Sequence, residues 1–148
     1  MYNNILIATD GSEIATRGLS HGLELAKALN LPVTVVTTTE PWSAFDIAQE
    51  MKLQIPNPVE QFEKFAAEAS NKILASAKEA AIQLGVSCDC VHIQDQHPAD
   101  GILEAATSNG CDLIVMASHG RRGVQKILLG SVATQVLANS KVPVLIIR

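Results

Sequence analysis

Three glycines, at positions 120, 123 and 130, with Ser131 directly after the last, form the spacing in this 148-residue chain that points most clearly to chemistry. Glycine lets backbone N–H groups approach an anion with no side chain in the way. The pair Gly130-Ser131 opens a predicted helix, and the free N–H groups of a helix start attract phosphate. Ser131 adds a hydroxyl donor, and Arg121 and Arg122 stand where they would screen phosphate charge from the rim. The same residues also suit an ordinary glycine-rich turn with a capping serine, and spacing alone does not separate the two readings. Asp10, in Asp10-Gly11-Ser12, reads from its position as the Asx-turn residue ahead of a helix. His119 has no partner evident in the sequence and is read as structural rather than as a general base.

Other arrangements point away from chemistry. Cys88, Cys90 and His92 alternate and so share one face of a strand. A strand rise of about 3.3 Å per residue separates Cys88 from His92 by about 13 Å, too far for two ligands each about 2.0 to 2.3 Å from one zinc. These side chains are expected to be semi-buried and apolar in use, with Cys111 an unpaired thiol ahead of the fourth strand. A P-loop, G-x4-G-K-[ST], is absent, as are the paired acids and terminal lysine of a phospho-receiver.

The elements that must position these groups follow from the apolar pattern. Short apolar runs at 5–9, 33–38, 86–93, 113–117 and 142–147 alternate with longer helical patterns, which is the signature of a doubly wound α/β sheet of five parallel strands. The first helix is expected to be capped by Ser12, to turn Ala15, Leu19, Leu23, Ala26 and Leu29 inward, and to end at Asn30. The second has Asn57 as cap, Pro58 at its first position and Gly85 beyond its end, with Phe62, Ala66, Ala69, Ile73, Ala77, Ala80 and Leu84 on the inner face. The third runs from Pro98 to about Ser108, and the last from Ser131 to Asn139. The connection at 40–57 is long, and a short helix is expected near 43–51; its Trp42 and Phe45 are expected to cover the adjacent core. Ligands of open parallel sheets bind beyond the C-terminal strand ends, where Ala8-Thr9-Asp10, Thr37-Thr38-Thr39 and Ser118-His119-Gly120 would converge.

Composition restricts the partners. With 47% hydrophobic, 18% charged and 3% aromatic residues, the chain is aliphatic and globular, of a length that suits one domain over 1–148. Eleven Lys plus Arg against 15 Asp plus Glu, net charge -4, give no general electrostatic footprint for nucleic acid. No apolar run approaches the roughly 18 residues that cross a bilayer, the N-terminus lacks a signal-peptide pattern, and three cysteines fit a reducing compartment. No membrane contact and a cytoplasmic location are therefore expected.

Taken together, Ile5-Leu6-Ile7-Ala8-Thr9-Asp10-Gly11-Ser12, Thr39-Glu40-Pro41, Pro98-Ala99, Met116-Ala117-Ser118-His119-Gly120-Arg121-Arg122-Gly123, Ile127-Leu128-Leu129-Gly130-Ser131-Val132 and Val142-Pro143-Val144-Leu145-Ile146-Ile147 resemble a universal stress protein. The resemblance spans essentially the whole chain. It implies a Rossmann-like sheet of strand order 3-2-1-4-5 with helices on both faces. Nucleotide-binding members carry G-x2-G-x9-G-[ST], matched here by Ala117, Gly120, Gly130 and Ser131, so Ala117 replaces the first glycine. By this resemblance Asp10 would hold the ribose hydroxyls with Ala8 and Thr9 beside it, and the Thr38 backbone would meet the adenine edge. Gly120, Gly130 and Ser131 would hold the phosphates, with Met116, Ser118, Arg121 and Val132 completing the site and no protein side chain needed to ligate metal. The implied protein is a small ATP- or AMP-binding regulator of the stress response, with Mg²⁺ accompanying the phosphates. It would form a homodimer through the last strand, from Val142 to Ile147. An interaction module without nucleotide affinity and a slow ATP hydrolase are the alternatives; no catalytic residue is assigned.

Overall fold

The computed structural model describes residues 1–121 and 129–148. Arg122 and Gly123 of the glycine-rich connection, with Ile127 and Leu128, lie outside the described residues. Strands β1 (Ile5–Ala8), β2 (Val33–Thr39), β3 (Cys88–Gln94), β4 (Leu113–Ala117) and β5 (Val144–Ile147) form one parallel sheet in the order β3-β2-β1-β4-β5. Helices α1 (Glu13–Leu29), α2 (Ala44–Lys52), α3 (Pro58–Leu84), α4 (Pro98–Ser108) and α5 (Ser131–Asn139) connect them.

The two central strands are buried at every position, as sheets covered on both faces require. Alternation then divides the core. Ile5 and Ile7 of β1, Val33 and Val35 of β2, and Leu113 and Val115 of β4 pack with α1 and α3 on one face. Leu6, Val36, Ile114 and Met116 pack with α4 and α5 on the other. The chain passes from β1 through β2 to β3, then crosses back to place β4 against the other side of β1. That reversal opens a crevice at the C-terminal ends of β1 and β4, where such sheets take ligands.

Local signals were followed closely, with informative exceptions. Ser12 caps α1 by accepting from the Ala15 N–H at 3.3 Å, and Asn30 ends the helix in the left-handed region. Leu29, expected inside, is 46% exposed, while Gly18 and Gly22 join the buried stripe because α1 lies close on the sheet. A Cβ on Gly22 would stand 2.7 Å from Ile7 Cδ1. Asn57 precedes α3 in a left-handed conformation and makes no side-chain cap, so Pro58 alone marks the start. The buried line of α3 is Ser70, Leu74, Ala77 and Ala81, rotated from the expected stripe of Phe62, Ala66, Ala69, Ile73, Ala77, Ala80 and Leu84. β1 stops at Ala8, and β3 and β5 each begin two residues later than their apolar runs suggest. The expected short helix in the long connection is α2, held by a Ser43–Asp46 capping box, with no residue of the helix buried.

Candidate functional site

A cavity of about 860 Å³ occupies the crevice, within the range of about 300 to 1,000 Å³ usual for small-molecule sites. All twelve site residues expected from the sequence line it. Ala8, Thr9 and Asp10 come from the end of β1, and Thr38 from β2. Met116, Ala117, Ser118, Gly120 and Arg121 come from β4 and the loop after it, and Gly130, Ser131 and Val132 from the start of α5.

Three helix starts are informative because they differ in capping. At α1 the Ser12 hydroxyl takes an N–H, and at α4 the His97 Nδ1 accepts from the Ala99 N–H at 3.3 Å. At α5 the cap residue is Gly130 itself, in extended backbone, and among the described residues no side chain caps the helix. Ser131 is therefore the first helical residue and not the capping serine that the turn reading required. The positive end of the α5 dipole faces the cavity, and no described side chain caps its first N–H groups.

Both glycines here are favoured by close approach and not by backbone angle. The Gly130 N–H donates to the Ser118 carbonyl at 2.7 Å, and a Cβ at 130 would stand 3.2 Å from that oxygen. A Cβ at Gly120 would stand 2.7 Å from Asp10 Oδ2. Asp10 is thus more committed than its sequence position implies. Oδ1 accepts from the Ser12 N–H at 3.0 Å, which is the Asx turn, and Oδ2 accepts from the Arg121 N–H at 2.8 Å, which ties the loop after β4 to β1. A carboxylate has about four acceptor positions, so both oxygens retain capacity for ligand hydroxyls.

His119, whose partner was not evident in the sequence, pairs through Nδ1 with the buried Ser118 hydroxyl at 2.9 Å. Trp42 meets Phe62 edge to face, with ring centroids 4.6 Å apart, and Phe62 lines the cavity. Phe45 does not cover the core as expected: it is 70% exposed, because α2 buries no side chain.

Two residues that line the cavity, His97 and Ser70, were missed by sequence reasoning, whereas Thr39 was expected at this edge. His97 lines the cavity and caps α4, and its place immediately before Pro98 is the signal that could have found it. Thr39 and Ser70 line the far wall and bracket His92, whose Nε2 lies 2.7 Å from Thr39 Oγ1 and 3.1 Å from Ser70 Oγ. Desolvation holds the His92 imidazole below its ordinary pKa, favouring the neutral ring. Nothing in the local sequence links residues 39, 70 and 92. Among the described residues no group of three or more His, Cys, Asp or Glu side chains is placed to hold a metal ion.

Similar proteins place this geometry in a family. Universal stress protein YxiE of Bacillus subtilis is 32% identical over 156 residues, which cover all of both chains. Universal stress protein MJ0577 of Methanocaldococcus jannaschii is 30% identical, and its solved structure superposes with a TM-score of 0.77 over 99% of this chain and 96% of that one. A universal stress protein solved in complex with cAMP is 25% identical, with a TM-score of 0.70 over 99% of this chain and 97% of its own. With the sequence model of the universal stress protein family matched from residue 1 to residue 148, and the 3-2-1-4-5 parallel sheet shared with these structures, this chain belongs to that family.

Proposed function

We propose that this chain is a single-domain cytoplasmic regulator of the stress response that binds an adenine nucleotide, ATP or AMP, in the cavity at the strand ends. The observation that carries the reading is the start of α5, which opens into the cavity with Gly130 as its cap and, among the described residues, no side-chain cap on its first turn. A phosphate seated there accepts the N–H groups of that turn and gains from the helix dipole. Gly120 and Gly130 keep the approach free of side chains, and Ser131 adds its hydroxyl. Ala8, Thr9 and Asp10 face the ribose, and the Thr38 backbone meets the adenine edge. Mg²⁺ would be held by phosphate oxygens and water and would neutralise phosphate charge.

The methyl group of Ala117 is compatible with this. Ala117 falls in alternation with Leu113 and Val115, which pack on the α1 and α3 face, so its side chain belongs to the face opposite α5. Support also comes from the relative solved with cAMP, which holds an adenine nucleotide on the same fold.

We further propose a homodimer. β5 is an edge strand of the sheet, with Leu145 38% exposed, and an unpaired apolar edge is a liability that antiparallel pairing across a two-fold axis removes. No helix among the described residues is long and apolar enough to cross a membrane.

The test is to purify the protein without added nucleotide, denature it and analyse the released small molecules by chromatography and absorbance. The proposal expects an adenine nucleotide in the supernatant, or its uptake when ATP is added back before the same separation. Neither being observed would remove the nucleotide-binding reading and favour the interaction module.

A further inference from the structure

The face of edge strand β3 that packs against α3 carries two thiols that the nucleotide site does not use. His92 on the same face is engaged by Thr39 and Ser70, which leaves Cys88 and Cys90 as a pair. Their Sγ atoms lie 4.0 Å apart, both residues are partly buried against the core, and the Cys90 thiol also donates to the Leu74 carbonyl of α3 at 3.6 Å. Burial, reinforced by the neighbouring Cys90, pushes the Cys88 thiol up to about 12, while the Lys78 ammonium on α3 opposes it. Such a protonated thiol is a slow nucleophile towards oxidants. Two residues apart on a strand, the pair has a Cα separation of about 6.6 Å, at the wide end of what a disulfide spans. A soft metal ion, by contrast, deprotonates the thiols it binds.

We propose that Cys88 and Cys90 form a two-thiolate site for a soft monovalent cation, Cu(I). Thiolate sulfur selects copper(I), zinc and iron–sulfur clusters, and the latter two ask for about four ligands where this site offers two. With a metal–sulfur bond of about 2.3 Å, sulfurs 4.0 Å apart fit an ion between them at an S–metal–S angle of about 120°. A linear arrangement needs them to part by only about 0.6 Å, within reach of a χ1 adjustment on an edge strand. Two S–H bonds break, two Cu–S bonds form and two protons leave to solvent, with no electron transferred. The bound unit carries one negative charge, which Lys78 offsets.

The experiment is an anaerobic titration of the reduced full-length protein with Cu(I) in competition with the chromophoric chelator bicinchoninate, with circular dichroism confirming the fold of each variant. The wild type should withdraw one equivalent per chain. Cys88→Ser and Cys90→Ser should each lower that affinity at least tenfold, Cys111→Ser should leave it unchanged, and Lys78→Met, which keeps both thiols, should weaken it several-fold. Copper remaining wholly with the chelator, Cys88→Ser binding like the wild type, or equimolar Zn²⁺ displacing the copper would each overturn the assignment.

Discussion

Replacing Gly130 by valine attacks the proposed phosphate site at its narrowest point. The first carbon added would already stand 3.2 Å from the Ser118 carbonyl oxygen, which accepts the Gly130 N–H at 2.7 Å. Valine adds two further carbons beside the first turn of α5. To relieve the contact, the loop after β4 must move away from the helix start, and the opening between them is where a phosphate would sit. Hydrogen bonds to a charged group contribute about 1.5 to 3 kcal/mol each, so losing two N–H contacts to phosphate removes roughly 3 to 6 kcal/mol of binding. Because about 1.4 kcal/mol is tenfold in affinity, Gly130→Val should raise the ATP Kd by about 100-fold or more. Gly130→Ala, which asks Ser118 to yield by only a few tenths of an ångström, should cost about tenfold. Titration calorimetry measures both, and thermal melting followed by circular dichroism reports whether the sheet survives. A natively folded Gly130→Val protein that binds ATP as tightly as the wild type would refute the placement of the phosphates at α5.

Asp10→Ala should weaken nucleotide binding less, by about tenfold, because one hydrogen bond to a charged group, about 1.5 kcal/mol at the low end for a partly exposed carboxylate, is lost while the helix start remains; competition binding with ATP and AMP checks this. Leu145→Asp should convert a wild-type dimer into monomer or aggregate, read by light scattering at micromolar concentration, and a monomeric wild type would contradict the edge-strand pairing. Ile114→Ala, at a position fully buried between β4 and the α4 and α5 face, should cost about 2 to 5 kcal/mol of stability and lower Tm with it. The His92 pKa lies below its ordinary 6.5 in the folded chain, so the unfolded chain takes up this proton first as pH falls. His92 should therefore contribute its full stability above about pH 6.5 and lose it as pH falls through the folded value. Relative to His92→Gln, the Tm of the wild type should decline on acidification, and a constant difference from pH 7.5 to pH 5 would contradict it.

The fold was legible where local chemistry and global topology agree. The apolar runs at 5–9 and 113–117 can be buried on both faces only at the centre of a sheet, and there the structure places β1 and β4. Pro58, Pro98 and Gly85 marked helix ends through backbone preferences and Ser12 through its side-chain cap, and tertiary contacts overrode none of them. The stripe of α3 was less legible because Phe62, Ala66, Ala69 and Ile73 line a cavity, and a helix that serves a cavity and a core has two apolar faces at once. The cavity-lining residues on β1, β4 and α5 were legible because each lies at the end of an element the sequence defines. Asp10 shows the limit of that approach: its Asx turn was visible locally, whereas its bond to the Arg121 N–H, 111 residues away, depends on the β1–β4 pairing. The Thr39, Ser70 and His92 cluster had no local signal, since each residue comes from a different element and only the fold brings them together.

The most direct measurement is calorimetric titration of the nucleotide-free wild-type protein with ATP in the presence of Mg²⁺, alongside AMP and GTP. Nucleotide binding at the strand ends calls for one saturable site per chain, tighter for ATP than for GTP, with the Gly130→Val protein failing to give the same heat. No heat and no thermal shift at millimolar ATP would contradict it.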